Sequence, residues 1–448
     1  MKMNNHSASI FCTHLLDTVV ALSLIGCSGG SSNPLAPIQA AQAKNVGNFS
    51  NTIFLGDSLT AGYQSDSLID TAQVHGWANL VATQAVFNIT LPLIAPPGAP
   101  SVLQLVSVGP PPVITTAPGT TTGRDNPAIQ PTDLAVPGAF VNDVLNTVPL
   151  ANPAPGQQQI NQLVLGFPGL GYGQPYSQLG FAIKAQPTTI FLWIGNNDAL
   201  IADETGMPAS MTSVANFTTQ YQALILQLTT MTPAHLVIAN IPDVTQVPYL
   251  QPAALVLGEY SQATGLPTAV LSGLLGIVPG DYLNTTGLAE IPAILDGTQK
   301  GPINDAGVLS AAEVVTVQAQ VVVFNQVIAA QAKAANATLV DINALFAQVV
   351  ASGLPINGYT GTASFLGGFF ALDGIHPTNT GYAVIANKFI DTMNAAINTK
   401  IPDVPLASVA AADPLWPPNL LPASAAARPL MMPANAGKSI DNPMLGKK

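Results

Sequence analysis

The chain has 448 residues, enough for a large core, and only 8 % of them are charged, against roughly 25 % in an average globular domain. Twelve Lys and Arg face 23 Asp and Glu, for a formal net charge of −11. That excludes a protein built to neutralise a phosphate backbone, which needs a basic face.

The N-terminus reads as an export signal. Lys2 gives a thin positive start, and Leu15 to Gly26 is an apolar region, interrupted by Asp17, that is too short to span a bilayer. Leu24-Ile25-Gly26-Cys27 resembles a bacterial lipoprotein box. The expectation is a signal peptide over 1–26, lipidation at Cys27 and a flexible tether over 27–50, rich in Gly, Ser, Ala and Gln. The chain would then be exported and held at the outer membrane or cell surface; without lipidation it would be periplasmic or secreted. Cys12 leaves with the leader, so the mature chain has no partner for a disulfide.

Thr52 to Leu55 is β-branched and aromatic and reads as a buried strand, stopped by Gly56-Asp57-Ser58-Leu59. Ser58 thus sits just past a strand's C-terminal end, where open α/β sheets place ligands. Helical spacing follows over Gly76 to Phe87. Residues 90–131 form a Pro-, Gly- and Thr-rich insertion with one apolar run at Val102 to Val108. Asp133 to Ala139 leads into a short helical pattern from Phe140 to Leu145, and 149–180 is again rich in Gly and Pro. Gly169, Gly171 and Gly173 fit neither phosphate-loop pattern and read as irregular loop.

Thr188 to Ile194 is a continuous apolar strand ending in Gly195-Asn196-Asn197-Asp198. A helix over Val214 to Met231 and a buried strand over Leu236 to Ile241 follow. Strands alternating with helices imply a parallel sheet covered on both faces. Residues 243–309 are a long insertion whose apolar segment Leu266 to Val278 reads equally as a lid over an acyl site or as a buried cap helix. Ala311 to Ala335 is a long helix, Ala337 to Ile342 a last strand, and Asn379 to Asn398 a closing helix. From 401 to 448 the chain is a Pro- and Ala-rich tail that wraps the surface or stays disordered.

A Ser nucleophile needs a base, and His is the usual one. Beyond the leader the histidines are His75, His235 and His376. His235 precedes a buried strand, at the end of the sheet opposite Ser58, and His75 lies in a polar loop. His376 lies on the Ser58 edge, three residues after Asp373, a spacing that lets the carboxylate fold back onto the imidazole. Alone, Asp-x-x-His is weak evidence. Gly138, after a Pro at a loop-to-helix junction, and the Asn197 side-chain amide are candidate donors to an oxyanion, though turn chemistry explains each equally. Gly26-Cys27-Ser28-Gly29-Gly30 matches the G-x-S-x-G elbow, but without the strand and helix that motif requires.

Taken in order, four blocks resemble the SGNH (GDSL) hydrolase family: Gly56-Asp57-Ser58-Leu59, Gly138, Gly195-Asn196-Asn197-Asp198 and Asp373-Gly374-Ile375-His376-Pro377. The resemblance covers roughly 51–400, interrupted by the insertions at 90–131 and 243–309. It implies a three-layer α/β/α sandwich with a five-stranded parallel sheet in flavodoxin-like order. It implies Ser58 as nucleophile, His376 as base and Asp373 as its orienter. The oxyanion hole would be Ser58 N–H, Gly138 N–H and the Asn197 amide, with no metal and no cofactor. The expected activity is hydrolysis of small-molecule or lipid carboxylic esters through an acyl-enzyme, by a monomer. A glycan O-acetyl esterase with the same triad and a non-catalytic lipid- or glycan-binding lipoprotein are the alternatives.

Overall fold

The structure is a computed structural model and describes residues 47–109, 111–166, 175–420 and 430–436. Cys27, the G-x-S-x-G match and the Gly169 to Gly173 run lie outside these residues.

Four parallel strands make the central sheet: β1 (Thr52–Gly56), β2 (Thr189–Trp193), β3 (His235–Ala239) and β4 (Thr338–Val340), in that spatial order. The expected five-strand order has its remaining place beside β1, and a single bridge holds it, Phe54 with Asp133. Three backbone bonds tie that segment down: Phe54 N to Thr132 O, Leu134 N to Phe54 O and Val136 N to Gly56 O, at 2.9, 2.9 and 3.1 Å. Pro131 and Pro137 flank it, and a residue without an N–H cannot extend a ladder. The chain order across the sheet is therefore flavodoxin-like, with the reversal falling between β1 and β2.

Alternation along each strand sends side chains to two separate cores. Ile53, Leu55, Ile190, Leu192, Leu236 and Ile238 face one layer, packed by α3 (Gln178–Ala185), α5 (Val214–Met231) and α6 (Ala311–Ala334). Phe54, Phe191, Trp193, Val237 and Ala239 face the other, covered by α2 (Trp77–Gln84) and α8 (Asn379–Ala396). Stacked rings seal each layer: Trp77 on Phe389 and Phe217 on Phe324, both with centroids 3.9 Å apart. The 24-residue α6 is long and apolar enough to cross a membrane. Its buried stripe Val314, Val317, Val321, Phe324 and Ile328 instead packs on the sheet layer, at helical spacing.

The Val102 to Val108 run becomes half of a hairpin, Leu103–Ser107 against Val113–Thr116, away from the main sheet. Residues 149–180, rich in Gly and Pro, contain the helix Gln157–Leu165 and the start of α3. The insertion at 243–309 builds its own core around Leu257, Leu271, Leu275 and Ile291, with a three-stranded antiparallel sheet. The described part of the tail is tied to the body: Asp413 accepts from Thr380 N and Oγ1 at 2.8 and 2.7 Å, at the first turn of α8.

Candidate active site

Two strand ends at the reversal point start the site. β1 stops at Gly56, where a Cβ would sit 2.5 Å from both Thr60 Oγ1 and the Trp193 carbonyl oxygen. Asp57 then caps the one-turn helix α1 (Ser58–Ala61), accepting from Leu59 N at 3.0 Å. Its other oxygen accepts from Asn196 Nδ2 at 2.8 Å, which locks the turn after β1 to the turn after β2. Burial pushes the Asp57 carboxyl up to about 6, against the opposing pull of Asn196 and the Leu59 N–H.

Ser58 is the first residue of α1, 8 % exposed, with its side chain on a cavity. Among the described residues its N–H has no acceptor, and neither has that of Gly138. Gly138 is in the left-handed region, φ +77°, where a side chain is strained, and a Cβ there would also have to displace Gln157 Oε1, 2.6 Å away. Asn197, at the start of α4 (Asn196–Thr205), donates one amide N–H to Ala139 O at 2.9 Å. That bond fixes the side chain beside the Gly138 loop and leaves the amide a second N–H. Asp198 accepts from Val141 N at 3.0 Å, anchoring the helix that follows Gly138 to the same turn.

Asp373 and His376 sit in the loop before α8, both buried. One Asp373 oxygen accepts from the N–H groups of Ile375 and His376, each at 2.8 Å. The other takes His376 Nδ1 at 3.1 Å and Asp66 N at 2.6 Å. Burial alone would raise this carboxyl. The imidazole and the two loop N–H groups outweigh burial and hold it below the usual carboxylate range. An ionised carboxylate only accepts, so Nδ1 carries a proton, and in the neutral imidazole Nε2 is then the nitrogen with the lone pair.

The segment after α1 grips this loop. The Tyr63 ring lies 4.6 Å from the His376 ring, centroid to centroid. Gln64 Nε2 donates to Pro377 O and Asn379 Oδ1 at 3.2 and 3.1 Å. Asp66, with φ +60°, presents its N–H to Asp373 while its carboxyl accepts from Tyr63 OH at 3.1 Å. Burial, with Asp373 nearby, pushes the Asp66 carboxyl well up. Ser58 and the flanks of His376, Ile375 and Pro377, line one cavity. Among the described residues no hydrogen bond yet joins Ser58 Oγ to the imidazole, and such contacts commonly tighten only with substrate bound.

All the residues expected at the site therefore converge on one rim. His235 does not: it begins β3 at the other end of the sheet, against Thr338 Oγ1 at 2.9 Å. His75 stays exposed before α2. The roles of Asn196, Tyr63 and Asp66 were not readable from sequence. Asn196 at least lies within a motif; a single acid such as Asp66 in a polar loop carries no pattern.

An apolar cavity opens beside Ser58. Of its lining residues only Ser58, Asn196 and Asn197 are polar, and none is charged. Helix α7 (Ile342–Ser352) supplies one wall and the loop at Phe369 and Phe370 another. From the insertion at 243–309 only Val244 and Val247 reach it, so that insertion's helices form a separate cap and not its lining.

The sequence profile described as GDSL-like Lipase/Acylhydrolase matches residues 53–389. No curated protein matches the chain in sequence. Among solved structures it is similar to an acetylxylan esterase from Geobacillus stearothermophilus: 12 % identity, 78 % of this chain and 96 % of that one, TM-score 0.34. A phospholipase A1 from Streptomyces albidoflavus gives 13 % identity over 78 % and 99 % of the two chains, TM-score 0.33. A lipase/acylhydrolase from Enterococcus faecalis gives 13 % over 79 % and 100 %, TM-score 0.32.

Proposed function

We propose, from the premise that this chain belongs to the GDSL-like lipase/acylhydrolase family and is a carboxylic ester hydrolase, that Ser58, His376 and Asp373 carry the reaction. The observation behind this is the Asp373 carboxylate, ionised and bonded to His376 Nδ1 on the rim where Ser58 opens.

Ser58 Oγ attacks the ester carbonyl carbon while His376 Nε2 takes its proton. The carbonyl oxygen, now negative, is received by the Ser58 and Gly138 N–H groups and the second N–H of Asn197, donors that have no acceptor among the described residues. Asp373 holds the imidazole in the required tautomer and stabilises its cation. The tetrahedral species collapses, the C–O bond to the alcohol breaks, and His376 hands its proton to the departing oxygen. Water, deprotonated by His376, then attacks the acyl-Ser58 ester and releases the acid.

A fluorophosphonate probe tests the assignment. It is expected to label the wild-type protein on Ser58 and to leave Ser58→Ala unlabelled and inactive on p-nitrophenyl esters. Unimpaired ester hydrolysis by Ser58→Ala would remove Ser58 from this role.

Export with a lipid anchor at Cys27 is the companion proposal, supported by Leu24-Ile25-Gly26-Cys27 after an apolar stretch. Palmitate incorporation in the producing cells, absent from Cys27→Ser, would support it; equal incorporation by both would sink it.

A further inference from the structure

The cavity beside Ser58 is lined almost wholly by apolar side chains. On α7, Ile342, Leu345, Phe346 and Val349 recur at i, i+3, i+4 and i+7, one face of a helix turned to the cavity. The polar lining is limited to Ser58, Asn196 and Asn197; Asn196 donates to Asp57, Asn197 to Ala139 O, and the second N–H of Asn197 is the one given to the oxyanion. A sugar ring against the apolar wall would lose its hydroxyls' water with few partners to replace it, which is costly. An acetyl group would leave most of this apolar lining uncovered.

The direction of the chain follows from the base. Ile375 and Pro377 line the cavity, whereas the imidazole between them does not. The leaving alcohol must lie against that imidazole to receive its proton, so the group still attached to Ser58 is the one facing the wall. We propose that the cavity binds the acyl chain of the ester, a linear chain of medium to long length, and that the alcohol side lies outside it. This rests on Ser58 being the attacking group.

Rates on p-nitrophenyl acetate, butyrate, octanoate and decanoate test it at constant leaving group. kcat/KM is expected to rise by at least about tenfold from acetate to octanoate. Val349→Phe and Val384→Phe, which fill the cavity from α7 and α8, are each expected to cut that ratio about tenfold. Equal kcat/KM for acetate and octanoate, or an unchanged ratio in both filled variants, overturns the acyl site. Failure of Ser58 to label with fluorophosphonate instead removes the reading beneath it, and binding then decides the acyl site alone. Trp193 lines the cavity, so a bromine-tagged dodecanoate is expected to quench the tryptophan fluorescence of Ser58→Ala protein saturably. The same variant carrying Trp193→Phe should lose that quench. No quench, or one unaffected by Trp193→Phe, overturns the proposal.

Discussion

On the rim, side chains from opposite ends of the chain hold one another: Asp66 N reaches Asp373 across 307 positions, and Asn196 reaches Asp57 across 139. Beside it, the cavity wall presents apolar side chains from α7 and from Phe369 and Phe370, and the latter segment meets the His376 loop through backbone bonds, Thr378 N to Phe369 O and Ala371 N to His376 O. The rim is specified by directional bonds whose partners cannot be exchanged; the wall is specified by shape and apolarity, which many sequences satisfy. Chemistry is thus fixed where bonds are, and selectivity is free to vary where they are not.

Substitutions separate the two. The largest effect is expected from His376→Ala, about 10⁴-fold or more in kcat on any acyl length, because the proton on Ser58 then has no acceptor. Asp373→Asn is expected to lose less, since the imidazole remains; steady-state rates in the opposite order would take the orienting role from Asp373. Asn197→Ala should lower kcat by about 10²–10³ with acyl preference intact. A changed chain-length profile there would blur the division between rim and wall.

Smaller effects concern stability. Tyr63→Phe strips a donor from the buried Asp66 carboxyl, whose other oxygen already lacks a partner. Urea unfolding should show a loss of about 1–3 kcal/mol. Asp133, in the bridge beside β1, is buried and its carboxyl is pushed up to about 8 from 3.8. Between those values the folded chain keeps a proton that the unfolded chain has released, so this group's contribution falls as pH rises, by at most about 1.4 kcal/mol per pH unit. Asp133→Asn cannot titrate and should gain stability relative to wild type on going from pH 5 to pH 8. A difference that stays constant across that range would refute it.

The legible parts of the chain were those with a period or a motif. Val214–Met231 falls where its spacing predicts, and β1, β2 and β3 within two residues of their apolar runs. The four blocks were readable because turn chemistry and catalysis both demand particular residue types. The helix Gln157–Leu165 was not, since Gly and Pro on either side mask its nine residues. Nor was the short place at Asp133, where Pro131 and Pro137 limit pairing to one bridge. The cavity wall escaped for a different reason: Ile342 and Phe369 come to line the same cavity as Ser58 only through tertiary packing, which no local window contains.

The bond from Asp413 to Thr380 carries a practical lesson for anyone shortening this polypeptide. Every recognisable block ends by residue 377, and the family profile stops at 389. A truncation guided by those limits would keep all the reactive groups and discard the anion that seats the first turn of α8, four positions from His376. Where homology stops and where the working unit stops are therefore different places, some two dozen residues apart.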